Sequence, residues 1–523
     1  MSRLNPLAAL GAVVLALCGV LIAVPAGAAS REAVSLTVRA DAPGPRIDRH
    51  IFGQFAEHLG RGIYGGVWVG PGSSIPNTDG YRDDVLAALK ALHVPVIRWP
   101  GGCFADDYHW RDGIGPRAQR PARINTNWGG VVEPNSFGTS EFLDFAELIG
   151  ADAYLTGNVG SGTPREMADW VEYITSDSPS TLARLRRTNG RQRPWRLPFF
   201  GIGNEAWGCG GNMRPEYYAD LFRRYATFVR DHAPKGITLV ASGSHDDDYH
   251  WVDVLMARAS EQMDALSLHY YTIPTGNWKH KGAATGFGED QWVSTLQAAE
   301  RIDEYITRDS AIMDRYDPQR RVALYVDEWG TWYDPEPGPD RGVLYQQNSL
   351  RDALVAAISL NIFERHADRV RMANIAQMVN VLQAMILTRK DEMILTPTYY
   401  VFRMYVPFQG ATYLPVKIDT PRYRYGTIAL PAVDATAARD VSGTIHLALV
   451  NLDPHHEATV SVRIAGASGR TAAGEVLTAD AMDAHNSFAQ PHAIAPAAFQ
   501  GVYRGGKLVF RLPAKSVAVV AVH

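Results

Sequence analysis

Two glutamates at the ends of short apolar runs carry the chemistry that this sequence suggests. Glu205 follows the run Phe199-Phe200-Gly201-Ile202, and Glu328 follows the run Leu324-Tyr325-Val326. Runs that are apolar on both faces are typical of parallel strands covered by helices. Since catalytic groups in α/β barrels lie at the carboxyl ends of the strands, we expect both carboxylates to face one cleft, where they can act as general acid and nucleophile. The alternative is two solvated acids at unrelated strand ends.

Polar and aromatic residues end most of the other candidate strands as well. They are Glu57 and His58, Arg98 and Trp99, Asn158, Asn204, His269 with Tyr270 and Tyr271, Trp329, Gln377 and Asn380. Each has a structural alternative: Arg98 as a buried partner for an acid, for example, or His269 as a hydrogen-bonded core histidine. Their shared position at one rim of a barrel makes a functional role the better interpretation.

This set of residues suits glycoside hydrolysis. A retaining glycosidase needs a carboxylic acid to protonate the leaving oxygen and a carboxylate, about 5–5.5 Å away, to attack the anomeric carbon. The charge of the nucleophile raises the pKa of its partner, which keeps a proton on the acid. Asn204 is placed to hydrogen-bond a sugar 2-OH. Trp99, Trp128 and Trp329 offer faces for stacking against sugar rings.

Eight strand-like segments alternate with helix-like segments and predict the frame that positions these residues. The candidate strands are Ile51–Ala56, Val94–Trp99, Ala153–Val159, Phe199–Gly203, Ile237–Ser242, Ala265–Tyr270, Val322–Val326 and Ala373–Val379. The candidate helices include Asp83–Leu92, Glu141–Ile149, Glu166–Ile174 and Pro215–His232, the last with an apolar stripe at helical spacing. This alternation predicts an α/β fold, a (β/α)8 TIM barrel over residues 49–404.

After Tyr405 the pattern changes to short strand-like runs separated by Gly, Pro and Asp, which is typical of an all-β sandwich domain. The runs are Thr444–Val450, Ala458–Val462, Leu508–Phe510 and Val517–Val520. An early alternating segment, Val34–Arg39, has no barrel partner. We therefore expect residues 29–48 to add a strand to a C-terminal sandwich of residues 405–523.

The composition is that of an ordinary globular protein. The 523 residues are 46% hydrophobic and 20% charged, which supplies an extensive core and argues against disorder. The net charge of −4, with one short basic run at 184–193, argues against binding of nucleic acid. The acidic run His245-Asp246-Asp247-Asp248 lies on a predicted loop, where acids are more often solvated, so no metal site is predicted.

Residues 1–28 have the features of a secretory signal. Arg3 is followed by an apolar stretch from Leu7 to Val24 and by the small residues Ala26-Gly27-Ala28. A retained membrane anchor is the alternative, because the apolar stretch is close to spanning length. A lipoprotein at Cys18 is disfavoured because the preceding residue is a large leucine. We expect a secreted or periplasmic protein, without stable membrane insertion after removal of the signal.

Several long motifs, in the same order along the chain, resemble glycoside hydrolase family 51. The motifs are Ile51–Gly60 around Glu57, Arg98–Cys103, Gly203–Gly211, Asp327-Glu328-Trp329-Gly330 and Ala373–Val381. The resemblance covers essentially the whole mature chain. It implies a retaining (β/α)8 α-L-arabinofuranosidase that needs no metal or organic cofactor and assembles as a hexamer or a smaller homo-oligomer.

The resemblance also implies roles for individual residues. Glu205 matches the general acid/base, Glu328 the nucleophile and Asn204 the residue that binds the sugar 2-OH. Positions that hold the furanose hydroxyls match Glu57 and Gln377. Positions that support the catalytic pair match His269 and Tyr271, and Trp128 matches a subsite wall.

Cys103 and Cys209 depart from the family's usual pattern. Many members have Asn where Cys103 follows the Pro-Gly-Gly turn, so a polar contact with the sugar is changed or lost at this substrate-binding position. Because both cysteines lie on predicted loops above the barrel, a disulfide between them is one hypothesis. Two separate buried cysteines are the alternative. Neither cysteine belongs to a cluster with the spacing of metal ligands.

The sequence thus predicts an exported enzyme that releases terminal L-arabinofuranose from arabinan, arabinoxylan or their oligosaccharides. Another glycosidase specificity on the same frame, such as that of an endoglucanase or a β-xylosidase, stays open. A non-catalytic carbohydrate-binding protein is disfavoured because both glutamates are present. A structural cell-wall protein is disfavoured because the sequence has no repeats.

Overall fold

The computed structural model describes residues 33–232, 236–337, 343–467 and 469–523. Its strands, in chain order, are β1 (Ala33–Arg39), β2 (Gly53–Phe55), β3 (Asn77–Thr78), β4 (Tyr81–Arg82), β5 (Val96–Trp99), β6 (Arg123–Asn125), β7 (Val131–Glu133), β8 (Asp152–Gly157), β9 (Phe199–Ile202), β10 (Thr238–His245), β11 (Ala265–Thr272), β12 (Ala323–Thr331), β13 (Val370–Ala376), β14 (Ile386–Arg389), β15 (Glu392–Leu395), β16 (Thr412–Tyr413), β17 (Val416–Asp419), β18 (Arg422–Tyr425), β19 (Ile428–Pro431), β20 (Val433–Arg439), β21 (Ile445–Asn451), β22 (Ala458–Ala465), β23 (Ala472–Leu477), β24 (Ala497–Arg504), β25 (Lys507–Leu512) and β26 (Ser516–Val522). Its α-helices are α1 (Asp83–Ala91), α2 (Thr139–Ile149), α3 (Pro164–Thr175), α4 (Thr181–Thr188), α5 (Pro215–Phe228), α6 (Tyr249–Ala259), α7 (Glu289–Tyr316), α8 (Leu350–Arg365) and α9 (Pro397–Tyr405).

Eight strands close into a parallel barrel in the order β10, β11, β12, β13, β2, β5, β8 and β9. Each of the eight predicted segments contributes one of these strands, so the prediction of a (β/α)8 barrel is confirmed. Apolar side chains from seven of the strands fill the interior near their amino-terminal ends: Val96, Tyr154, Phe199, Val240, Ala265, Ala323, Tyr325 and Met372. Because this layer closes one end of the barrel, a site can form only at the opposite, carboxyl-terminal end.

The predicted helices are present with small changes at their ends. α5 begins at Pro215 as predicted but ends at Phe228, four residues before the predicted end at His232. Val229 leaves the helix with ψ 104° and is buried, whereas Phe228 is 54% exposed. The helix therefore ends where Val229 turns into the core, although the apolar stripe of the sequence continues.

The all-β domain is a sheet of ten strands in the order β16, β20, β21, β26, β23, β24, β25, β22, β1 and β17. β1 pairs in parallel with β22 and antiparallel with β17. Inward-facing residues of β1, β22 and β25 share one core with those of β20, β21 and β26, so two faces of the sheet enclose a sandwich core. The predicted all-β domain is confirmed.

Strand β21 explains how this domain joins the barrel. Its side chains alternate: Leu447 and Leu449 enter the sandwich core, while Ala448 and Val450 enter the core that the barrel helices build. Helix α8 is buried along its length and packs against β20, β21 and β26. The division of the chain into residues 29–48, 49–404 and 405–523 stays a proposal.

The predicted signal at residues 1–28 lies outside the described residues. Within the described ranges, no helix is both long and apolar enough to cross a membrane.

Candidate active site

Glu205 stands just beyond the carboxyl end of β9, on a turn with an unusual backbone. Gly203 has a φ of +83°, and a Cβ atom there would lie 2.4 Å from Val159 Cγ2, so only glycine fits. Glu205 itself has a φ of +41°, which is uncommon for a residue with a side chain. Asp106 holds the turn: its Oδ2 accepts the N–H of Asn204 at 2.8 Å, and its Oδ1 accepts the N–H of Val159 at 2.7 Å. The backbone therefore fixes Glu205 at the rim.

Glu328 lies within β12 and is buried, and both of its carboxylate oxygens accept hydrogen bonds. Arg98 Nη1 donates to Oε1 at 2.8 Å, and the Tyr271 hydroxyl donates to Oε2 at 2.7 Å. Burial opposes ionisation, but the charges of His269 and Arg98 and these hydrogen bonds hold the pKa of Glu328 below its usual value. An ionised, immobilised carboxylate suits a nucleophile.

His269 connects the two glutamates. Its Nδ1 lies 3.0 Å from Glu205 Oε1 and 3.6 Å from Glu328 Oε1. One side-chain atom from each of these three residues falls within 4.8 Å of the other two. Burial lowers the pKa of His269, but the two carboxylates outweigh it and raise that pKa above its usual value. One oxygen of each glutamate thus lies within 4.8 Å of the other, which suits the carboxyl separation of about 5–5.5 Å in retaining glycosidases and not the roughly 6.5–9.5 Å of inverting ones.

Glu57 forms a second polar group beside the glutamate pair. Its Oε1 accepts from Trp128 Nε1 at 2.8 Å and from the Phe104 N–H at 3.0 Å, and its Oε2 accepts from Gln377 Nε2 at 3.2 Å. Burial, with the nearby charge of Glu328, raises the pKa of Glu57 to about 7. A Cβ atom on Gly102 would lie 3.0 Å from both carboxylate oxygens of Glu57, which explains a glycine there.

One buried acceptor in this group lacks a protein partner. Gln377 is 2% exposed, and its Oε1 makes no hydrogen bond with the described residues. Buried polar atoms in folded proteins are nearly always paired. The free oxygen therefore fits a ligand that donates a hydrogen bond, such as a sugar hydroxyl.

The predicted site residues surround one cavity. Its lining consists of Glu57, Leu59, Gly102, Cys103, Trp128, Asn204, Glu205, Tyr271, Glu328, Trp332, Leu344, Gln377 and Leu382. Of the residues to which the family resemblance assigns a role, all but His269 lie on this surface; His269 is buried and bonded to Glu205. Arg98 also lies behind the surface, where it bonds Glu328 and Asn204. It is therefore both a buried partner for an acid and part of the site.

Two of the predicted stacking aromatics lie elsewhere. Trp99 is fully buried and donates to His58 Nε2 at 3.1 Å, and Trp329 is 1% exposed and packs on Phe363. Because side chains alternate along a strand, the neighbours of Arg98 and Glu328 point away from the barrel axis. The prediction that Trp99 and Trp329 stack on sugars is wrong, whereas Trp128 does line the cavity.

Two residues of the site were not predicted from the sequence. Trp332 lines the cavity, and its place just past the end of β12 was the available signal. Asp106 fixes the turn of Glu205, but nothing in the sequence distinguishes it from the adjacent acid Asp107.

A disulfide joins Cys103 to Cys209, as one of the two hypotheses predicted. It connects the loop after β5 to the loop after β9. Cys209 Sγ lies 3.6 Å from Glu205 Oε2, the carboxylate oxygen that does not bond His269. The disulfide is therefore part of the wall around Glu205.

Comparison with known proteins identifies the family of this chain. The family model described as α-L-arabinofuranosidase 1 domain matches residues 88–284, and the model described as α-L-arabinofuranosidase C-terminal domain matches residues 327–516. A protein of Bacteroides ovatus named intracellular exo-α-L-arabinofuranosidase is 51% identical over 94% of this chain and 96% of its own length. α-L-Arabinofuranosidase C of Emericella nidulans is 33% identical over 84% of this chain and 88% of its own.

The first of these relatives contradicts one prediction. The apolar segment at residues 1–28 led us to expect a secreted or periplasmic protein with a signal peptide, but the 51%-identical relative is named an intracellular enzyme. That prediction rested on sequence features alone, namely Arg3, the apolar stretch and the small residues Ala26-Gly27-Ala28, and the segment lies outside the described residues. The prediction of export is therefore wrong.

Solved structures give the same result for the fold. The crystal structure of the GH51 arabinofuranosidase from Xanthomonas axonopodis pv. citri matches with a TM-score of 0.93 and 57% identity, over 94% of this chain and 100% of that one. The arabinose complex of the α-L-arabinofuranosidase from Thermotoga maritima matches with a TM-score of 0.83 and 30% identity, over 94% and 99%. This chain therefore belongs to glycoside hydrolase family 51, the arabinofuranosidase family whose fold it shares.

Proposed function

We propose that this chain is a retaining, exo-acting α-L-arabinofuranosidase. It releases terminal α-L-arabinofuranosyl residues from arabinan- or arabinoxylan-type polysaccharides and oligosaccharides. The observation that carries the proposal is the placement of Glu205 and Glu328 around His269, with one atom of each residue within 4.8 Å of the others. The name of the Bacteroides ovatus relative supports the substrate class.

In the first step, Glu328 attacks the anomeric carbon of the arabinofuranosyl unit. A bond forms between a carboxylate oxygen of Glu328 and that carbon, while the bond to the leaving oxygen breaks. Glu205 gives its proton to the leaving oxygen. Arg98 and Tyr271 hold the Glu328 carboxylate in place, and the low pKa of Glu328 keeps it ionised for attack.

In the second step, water displaces the Glu328 carboxylate from the sugar. The Glu205 carboxylate takes a proton from water, whose oxygen attacks the anomeric carbon as the bond to Glu328 breaks. Because Glu205 Oε1 is bonded to His269, Oε2 is the oxygen that moves the proton in both steps. The two displacements together retain the anomeric configuration.

The remaining groups recognise one furanose ring. Glu57 and the unpartnered Oε1 of Gln377 bind its hydroxyls, and Asn204 binds the 2-OH. Trp128 and Trp332 give the cavity apolar walls. The polar groups that hold the sugar are only 1–2% exposed, so we propose that a chain end enters the cavity and that the enzyme acts as an exo-glycosidase.

Chemical rescue by azide tests the two roles separately. With 4-nitrophenyl α-L-arabinofuranoside, Glu328→Ala should lose turnover and regain part of it with azide, giving the inverted glycosyl azide. Glu205→Ala should form the azide with retained configuration. If azide gives the same stereochemistry in both variants, the assignment of the two glutamates is wrong.

A panel of aryl glycosides tests the substrate. We expect the α-L-arabinofuranoside to be cleaved far faster than the β-D-xyloside or β-D-glucoside. A wild-type enzyme that prefers one of the latter would refute the proposed specificity. The homo-oligomer also stays a proposal, which light scattering of the purified protein can test.

A further inference from the structure

Three side chains beside the cavity are grouped as metal ligands are. Cys103, Glu205 and Cys209 each offer one ligand atom, and these atoms all lie within 4.8 Å of one another. Cys103 and Glu205 are partly exposed and Cys209 is exposed, so solvent reaches the group. In the disulfide neither sulfur is a thiolate, and only the thiolate binds a metal ion.

The spacing of the group fits a tetrahedral zinc site. With Zn–S bonds of about 2.3 Å and Zn–O bonds of about 2.0–2.2 Å, a thiolate sulfur and a carboxylate oxygen lie about 3.5 Å apart. Cys209 Sγ and Glu205 Oε2 are 3.6 Å apart. This oxygen is the one that His269 leaves free, because His269 bonds Oε1. These two atoms are thus already about as far apart as two ligands of the same zinc ion.

We propose that reduction of the Cys103–Cys209 disulfide creates a site for a thiophilic divalent cation such as Zn2+, bound by both cysteine sulfurs and Glu205. In the reduction, a dithiol passes two electrons and two protons to the disulfide. The S–S bond breaks, two thiols form, and the dithiol becomes a cyclic disulfide. Each thiol gives up its proton on binding the metal ion. Three protein ligands leave the fourth position of a tetrahedral ion for water.

The bound cation blocks the reaction at one atom. Glu205 Oε2 is the oxygen that gives and takes the catalytic proton in the proposed function, and a metal bond there excludes that proton. The enzyme is therefore active with the disulfide intact and is inhibited by zinc once the disulfide is reduced. This effect on turnover rests on the proposed function, whereas binding of the metal does not.

Cobalt spectroscopy tests the binding directly on the full chain. The wild-type protein is reduced with dithiothreitol, freed of the reductant by anaerobic gel filtration and titrated with Co2+. We expect one Co2+ per chain, with the thiolate charge-transfer bands of a tetrahedral site, and displacement of Co2+ by Zn2+. The oxidised protein should show none of these bands. This comparison needs no variant, so a folding defect cannot obscure it.

Two variants identify the ligands. The double variant Cys103→Ser/Cys209→Ser should lack the thiolate bands. Because it keeps Cys18, any bands that this third cysteine contributes would still be seen in it. Glu205→Gln, once reduced, should keep the bands but bind Zn2+ at least about tenfold more weakly, since even ligand-supporting residues cost that much affinity. A reduced wild type without thiolate bands, or a double variant with the same bands, would overturn the proposal.

Turnover of 4-nitrophenyl α-L-arabinofuranoside completes the test. Each form is compared with its own rate in the absence of metal. Zinc should inhibit the reduced wild type, a chelator should reverse the inhibition, and the oxidised enzyme should be insensitive. If the thiolate bands appear but no form cleaves the substrate, the metal site stands and the proposed function fails. Equal inhibition of the oxidised and reduced enzymes would place the inhibitory ion elsewhere.

Discussion

Removal of the Tyr271 hydroxyl should change the ionisation of Glu328. This hydroxyl donates to Glu328 Oε2 at 2.7 Å and helps to hold the pKa of Glu328 below its usual value. A hydrogen bond to a charged group contributes about 1.5–3 kcal/mol. Tyr271→Phe should therefore weaken the preference for the ionised carboxylate by about 10- to 150-fold. Because attack needs the ionised form, the acidic limb of the activity profile should move to higher pH.

The assay is the pH dependence of kcat/KM for 4-nitrophenyl α-L-arabinofuranoside, which reports the ionisations of the free enzyme. Tyr270→Phe is the matched control. Tyr270 is adjacent on β11, but its hydroxyl donates to the Ala298 carbonyl outside the barrel. We expect the control to keep the acidic limb of the wild type.

The opposite results would refute this reasoning. An unchanged acidic limb in Tyr271→Phe, together with a changed KM alone, would mean that Tyr271 serves the substrate and not the nucleophile. The same displacement in Tyr270→Phe would mean that the limb responds to the stability of β11.

Three further substitutions test other parts of the structure. Both carboxylate oxygens of Glu57 accept hydrogen bonds, from Trp128 and Gln377 among others, so in Glu57→Gln the amide nitrogen faces a donor in either orientation. KM should therefore rise by about 10- to 150-fold, and an unchanged KM would exclude Glu57 from the sugar site. Trp332→Ala removes an aromatic wall worth about 0.5–1.5 kcal/mol, so KM should rise about 2- to 12-fold with a smaller change in kcat, and a loss confined to kcat would contradict this. Burial raises the pKa of Glu364 from 4.5 to about 8, so between these pH values the folded state keeps a proton that the unfolded chain releases. The free energy of unfolding therefore falls as the pH rises from 4.5 to about 8. In urea unfolding from pH 4.5 to 9, Glu364→Gln should lack this loss of up to about 5 kcal/mol, and parallel pH profiles for both proteins would contradict a buried proton.

The sequence predicted the barrel well because its strands are apolar on both faces. Segments such as Phe199–Ile202 and Ala323–Val326 stand out as short apolar runs, and the barrel buries them completely. The same logic placed Glu205, Glu328 and His269 at one rim, where the structure brings them together. The residues at the ends of the predicted strands therefore predicted the position of the site correctly.

The all-β domain was harder to predict in detail. β24 is mostly exposed, and on its inner face only Phe499 and Gly501 are partly buried, so it lacks the clear apolar alternation that marks a half-buried strand. β20 presents the small residues Ala435 and Ala437 to the sandwich core, which gives little contrast in hydrophobicity. The positions of such strands depend on pairing with strands that are distant in sequence. The local sequence pattern carries no information about that pairing.

Within the site, the errors have two physical causes. Trp99 and Trp329 adjoin site residues in sequence, but the alternation of side chains along a strand turns them into the core. Asp106 acts through hydrogen bonds to Asn204 and Val159, which lie 98 and 53 residues away in sequence. Contacts over such separations become visible only in the folded chain.

The central claim is that Glu328 forms a covalent bond with the sugar while Glu205 transfers protons. Glu205→Ala should slow the release of the sugar from Glu328, so that an activated aryl α-L-arabinofuranoside accumulates a glycosyl-enzyme. Mass spectrometry of proteolytic fragments should then find one arabinofuranosyl group on the peptide that contains Glu328. Attachment to another residue, or an unmodified enzyme whose first product has inverted configuration, would contradict the account.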